Sequence, residues 1–181
     1  KLIGLSGRDI VYKLLGNEGL RKYELIRWIK NKGYLHEIAT GSVELYPCTL
    51  ELITYLKSKG KLLGLASSTP NYLLIHILEI FGIIDYFDAV VGGDEVEYGK
   101  PHPEIFLRTF SKLGVNPNEG AVVGDTLYDV IPANKIGAFS IHLQRNNSKE
   151  IEVSAHMQKY ALPKFKIKTL CDFLVIIKRS L

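Results

Sequence analysis

The sequence is easiest to place by what it lacks. None of its 181 residues belongs to an apolar run near the roughly 20 positions a membrane-spanning helix needs, so no membrane partner is expected. It has two cysteines, Cys48 and Cys171, far apart along the chain and without the neighbouring Cys or His of a metal knuckle. That scarcity points to a reducing, cytoplasmic compartment. Charge of one sign is not in large excess: the net +4 is modest, and the lysines are scattered rather than interleaved with aromatics. No nucleic-acid partner is expected from such a pattern. Internal repeats and low-complexity tracts are absent, which excludes solenoids and disordered arrays. Lys1 rather than methionine opens the chain, so the native start is expected elsewhere. What is present is 46% hydrophobic residues with ordinary charge, enough for one sizeable core and an appended subdomain.

Up to about residue 40 the pattern is helical. Ser6 with Asp9 three positions on has the form of a capping box, opening a helix that stops at Gly16. A second helix is expected over 20–31, with Gly33 as its stop. Tyr23, Leu25 or Ile26, and Ile29 share one face of it, and Arg21, Lys22, Arg27 and Lys30 the other. The basic face reads either as solvated surface or as a contact for an anionic substrate, and Trp28 as subdomain core. Near 41–47 the pattern changes, dividing a partial helical domain, 1–44, from a second domain, 45–181.

From there helix and strand alternate. Helices are expected over 49–59, 71–81, 103–113, 127–136 and 170–179. Strands are expected over 62–66, 87–91, 121–123, 139–143 and 165–167. This is the pattern of an α/β fold, a Rossmann-like parallel sheet with crossover helices. Pro132 fits its helix comfortably only in the first turn.

Three polar loops follow strands and can converge at the carboxyl edge, where open α/β sheets bind ligands. Ser67-Ser68-Thr69-Pro70 offers hydroxyls and free backbone N–H groups for phosphate oxygens, or simply caps the next helix. Gly99-Lys100-Pro101-His102-Pro103 holds a lysine between a glycine and two prolines, useful where phosphoryl charge must be neutralised. Gly124-Asp125-Thr126-Leu127-Tyr128-Asp129 places two carboxylates one helical turn apart. They are either ligands for a hard cation or a helix cap followed by a first-turn acid.

In this order the three loops resemble the motifs of the haloacid dehalogenase-like hydrolases, in the branch with a small helical cap. Leu65-Ala66-Ser67-Ser68-Thr69-Pro70 resembles the second motif of that family. Gly99-Lys100-Pro101-His102-Pro103-Glu104-Ile105-Phe106 is similar to the third. Val122-Val123-Gly124-Asp125-Thr126-Leu127-Tyr128-Asp129 is similar to the fourth, and Leu2-Ile3-Gly4-Leu5-Ser6-Gly7 to the substrate-facing turn of the cap. The resemblance implies a phosphatase acting on a small phosphorylated metabolite with Mg²⁺, through an aspartyl-phosphate. It implies that Ser67, with Ser68 and Thr69, binds the phosphoryl group. Lys100 would bridge phosphate and nucleophile, and Asp125 and Asp129 would hold the metal or its water. A phosphomutase of the β-phosphoglucomutase type and a non-catalytic phosphometabolite-binding protein are the alternatives.

The family's first motif, Asp-x-Asp at the end of a central strand, does not occur in the sequence. The expectation is a missing segment on the order of 40 residues, carrying the nucleophile and a central strand. The 181-residue chain alone should then be inactive, and an N-terminal fragment of the same protein would complete the sheet. Without that strand the sheet should have a gap with unpaired backbone on both sides.

Overall fold

The computed structural model describes residues 7–144 and 154–180. Ser6 and the turn at 2–6 lie outside the described residues, as does most of the polar stretch after Gln144. The chain opens with α1 (Gly7–Arg21) and α2 (Tyr23–Ala39). Then come α3 (Thr49–Ser58), β1 (Gly64–Ala66), α4 (Asn71–Ile80) and β2 (Ala89–Val91). They are followed by α5 (Glu104–Leu113), β3 (Ala121–Gly124), α6 (Leu127–Lys135) and β4 (Phe139–Leu143). Short α7 (Ala155–Gln158), β5 (Phe165–Ile167) and α8 (Leu170–Ser180) close the fold. Strands joined through helices and paired in parallel make this a mixed α/β fold. No helix among the described residues is long and apolar enough to cross a membrane.

Among the described strands the pairing falls into two groups, β1 with β2, and β3–β4–β5. Leu65 is in register with Val90, and Val123 with Ile141. Within these groups β1 and β3 each keep one edge without a strand partner. The groups nonetheless share a core, because α5 lies between them. Its apolar residues recur at helical spacing, and Ile105, Phe106 and Phe110 are buried against Val91 of β2 and Val122 of β3. Ala133 and Ala138 close that cluster from α6 and the turn after it. A second cluster, around Ile53, Leu78 and Ile83, packs α3 and α4 under β1 and β2.

The first N-terminal helix breaks at Gly16 as expected: its backbone is non-helical there (φ 60°, ψ −151°), and a second helical piece carries α1 on to Arg21. The next helix departs from the sequence reading, for α2 does not stop at Gly33. A stopping glycine takes the left-handed conformation, and that role falls to Gly41 (φ 72°), whose N–H donates back to the carbonyl of Ile38. Trp28 is not core: it is 55% exposed, with the Lys32 ammonium 4.2 Å above its ring. Leu25 and Ile29 of the expected apolar face are exposed too. Pro132 lies beyond the first turn of α6 and is fully buried there, contrary to the first-turn position in which it would fit most comfortably.

Cys48 and Cys171, far apart in sequence, form a disulfide with Cα atoms 5.2 Å apart. Their separation of 123 positions hides this from any reading of spacing. A bonded pair of cysteines gives no support to a reducing compartment.

Candidate active site at the carboxyl edge of the strands

Each of the three loops sits where its strand delivers it. β1 ends at Ala66, and the Ser67 N–H donates to the carbonyl of Val91, which carries the β1–β2 ladder one step further. The chain then folds on itself, the Thr69 N–H donating to Ser67 Oγ at 3.2 Å. Ser and Thr do not cap α4. Pro70 precedes it, and the first N–H, that of Asn71, is taken by Asp94 Oδ1 at 2.7 Å. The cap is supplied from the loop after β2, which lies so close that a Cβ on Gly92 would come within 2.2 Å of Asn71 N.

Glu95 completes that junction. It accepts hydrogen bonds from the Gly92 N–H at 3.0 Å, from Lys112 Nζ at 2.7 Å and from the Asn71 side-chain amide. Burial works to raise its pKa, but the bonds from Lys112, Gly92 and Asn71 outweigh it and hold the carboxyl down at about 2. Arg108 donates to the Glu95 carbonyl. Further along the loop, Glu104 accepts the N–H groups of Glu97 and Tyr98 at 3.0 and 2.9 Å, and these bonds lower its pKa. The backbone leading to Lys100 is thus fixed by two carboxylates that the sequence reading did not single out. Their partners lie up to 24 positions away, so no local pattern announces them.

Lys100 is the convergence point. Only 8% exposed, it reaches the carbonyl of Ala66 at the end of β1 (3.3 Å) and Asp129 Oδ1 at the head of α6 (2.7 Å). One ammonium therefore spans the carboxyl ends of both strand groups. Asp129 is equally buried, and its other oxygen accepts from Thr126 Oγ1 at 2.8 Å and the Thr126 N–H at 3.3 Å. The cap of α6 is Thr126 with Asp129 in a capping box, rather than Asp125. Gly124 permits this approach, since a Cβ there would stand 2.3 Å from that of Asp129. Asp125 is half-buried at the exit of β3, its carbonyl 3.4 Å from His142 Nε2. Among the described residues no three His, Cys, Asp or Glu side chains form a cage for a metal ion.

Lys100 and Ser68 also line a cleft of about 650 Å³. Its opposite wall comes from α1 and α2, with Arg8, Tyr23, Arg27 and Lys30. The guanidinium groups of Arg8 and Arg27 stand 5.9 Å and 6.0 Å from the ring centre of Tyr23. Its hydroxyl pKa is raised, chiefly by burial. The basic face of α2 therefore looks in part into the cleft. Of the remaining expected site residues, Ser67, Thr69, Asp125 and Asp129 do not line that cleft, and Asp129 is joined to it through Lys100.

Parallel strands with polar loops gathered at their carboxyl ends define an α/β protein of the ligand-binding, Rossmann-like class. Residues 1–143 match the model of the haloacid dehalogenase-like hydrolases, and the chain belongs to that family. A phosphoglycolate phosphatase of Salmonella paratyphi A is 36% identical over 110 residues, which is 61% of this chain and 44% of that protein. The match thus spans less than half of the curated relative. A HAD phosphatase from Thermococcus onnurineus superposes with a TM-score of 0.62 at 27% identity, covering 94% of this chain and 86% of that one. A β-phosphoglucomutase from Clostridium difficile shares the fold, with a TM-score of 0.73 at 23% identity over 98% of this chain and 78% of that one.

Proposed function

We propose that this chain supplies the phosphate- and metal-handling part of a Mg²⁺-dependent phosphatase acting on a small phosphorylated metabolite. The observation that carries the reading is the position of Lys100, a buried ammonium held where three strand-end loops meet. In this reading Lys100 and Ser67, assisted by Ser68 and Thr69, hold the phosphoryl oxygens and oppose the charge that builds up on them. Asp125 and Asp129 suit a hard cation that takes the rest of its oxygen shell from water and phosphate. When bound, Mg²⁺ would offset repulsion between phosphate and an anionic nucleophile. Asp129 has a second duty, since its grip on Lys100 aims the ammonium.

The nucleophilic carboxylate is assigned to a segment of the same protein outside the 181 residues. Its attack on phosphorus breaks the ester P–O bond and forms the acyl-phosphate, and water then releases phosphate. The edges of β1 and β3 that have no partner among the described strands support this assignment, because a parallel strand accepted there would deliver its carboxyl end beside Lys100. The name of the curated relatives favours a phosphorylated carboxylic acid as substrate, and Arg8, Arg27 and Lys30 on the far wall are suitable partners for its second charge. We place the enzyme in the cytoplasm, working on soluble metabolites without nucleic-acid or membrane partners.

The test is phosphate release from a panel of monoesters by the protein from the complete reading frame, with and without Mg²⁺. Steady release that Asp125→Asn and Lys100→Met each lower by about 10²-fold or more is the expected result. Near-normal turnover in either folded variant would remove the site. Interconversion of hexose phosphates without net release would favour the mutase, and binding without turnover the non-catalytic reading.

A further inference from the structure

The two cysteines of the chain do not meet at an arbitrary place. Cys48 ends the segment that returns from α2, and it caps α3 with its backbone in the left-handed region (φ 63°, ψ 10°). It is the one residue other than glycine with positive φ among the described residues, a conformation that disfavours a side chain. Cys171 is the second residue of α8, the helix that packs along α3. The start of α8 is itself fixed: the Thr169 N–H donates to Asp172 Oδ2 at 3.1 Å and the Asp172 N–H to Thr169 Oγ1 at 3.0 Å. One sulfur is therefore mounted on a secured helix end. The other ends the connection between the N-terminal helices and the rest of the fold.

Both sulfurs lie at helix N-termini, where the helix field favours a thiolate over a thiol. Both residues are also half-buried rather than enclosed. A disulfide whose two leaving groups are stabilised in this way is a good target for exchange, unlike a cystine sealed in a core. In a reducing compartment, disulfides are as a rule transient or redox-sensing.

We infer that Cys48–Cys171 is a redox-responsive tie on the connection to the N-terminal helices. A dithiol reductant opens it in two steps. Its thiolate attacks one sulfur, the Cys48–Cys171 bond breaks and a mixed disulfide forms. The reductant's second thiol then displaces the protein, leaving two cysteine thiols and an oxidised, cyclic reductant. The reductant gives up two electrons. Opening removes the covalent link between Cys48 and α8, leaving Leu45, packed on the Ile53–Leu78–Ile83 cluster, as a remaining hold on residues 41–47, and so loosens α1 and α2, which help line the cleft with Lys100. The tie would act in this way whatever the cleft binds.

The test uses the full chain, oxidised or treated with dithiothreitol. Alkylation followed by mass measurement should count no free thiols in the first state and two in the second. A glutamate-specific protease should cut after exposed Glu44 about tenfold faster in the reduced protein, and Tm should fall by about 5–10 °C. Cys171→Ser should show the fast cleavage with or without reductant. So should Cys48→Gly, which also relieves the left-handed backbone. Two alkylatable thiols after oxidation would overturn the proposal, as would equal cleavage rates in the two states of the unmutated chain. Either variant still responding to reductant would do the same.

Discussion

α5 and α2 are both amphipathic helices with aromatic and aliphatic side chains at helical spacing, yet they end differently. α5 buries Ile105, Phe106, Thr109 and Phe110 between the two strand groups. In α2 the described buried residues are Asn31 and Ile38, while Leu25, Trp28 and Ile29 face outward. The contrast teaches that an apolar stripe states a preference for burial without supplying the partner. α5 has strands on which to spend its stripe. The N-terminal helices touch the rest mainly across the polar cleft and through single bonds, such as that from Asn31 Nδ2 to the Tyr72 hydroxyl at 2.8 Å.

On that contrast, mutations should sort by region. The largest loss is expected for Phe106→Ala, which removes a ring from the shared core and should cost about 3–5 kcal/mol in denaturant unfolding. A cost below about 1 kcal/mol would mean the strand groups are not joined through α5. Next comes Lys100→Met. Leaving Asp129 buried without its cation should cost about 3 kcal/mol, with a smaller penalty in the double variant Lys100→Met, Asp129→Leu. Equal penalties would show that the two side chains do not act as a pair.

Glu95→Gln should cost about 1–3 kcal/mol, since the charge that Lys112 and Asn71 hold is removed. Its pH signature is distinctive. The folded protein holds Glu95 at about 2 against an ordinary 4.5. Its contribution is therefore complete above the ordinary value and declines as pH falls toward 2. Unfolding measured from pH 6 down to 2 should show a shallower acid limb in Glu95→Gln; parallel curves would remove Glu95 from the network. The smallest effect, within about 0.5 kcal/mol, is expected for Trp28→Ala, because its ring is mostly in water. A loss like that of Phe106 would mean α2 is packed after all.

Much of the fold was legible because it rests on local chemistry. The ranges expected for α3 to α6 match the helices formed, and Gly60, Gly82 and Gly114, all at positive φ, follow the first three of them. The polar loops were legible as well, since a strand that stops at Ala66 or Gly124 must present its next residues at the carboxyl edge. Gly33 misled because the residues after it are content to remain helical. The Asn71–Asp94 and Glu95–Lys112 bonds and the disulfide were out of reach. They join loops or helices distant in sequence, and only the packing of α4 and α8 brings them together.

The bare margins of β1 and β3 have a practical consequence. Each offers a row of amide and carbonyl groups with no neighbour among the described strands, and Val123 on β3 is 42% exposed. At the concentrations used for crystallisation, such margins template intermolecular sheets. The recombinant 181-residue polypeptide should therefore be handled dilute, and its sedimentation profile should broaden as it is concentrated.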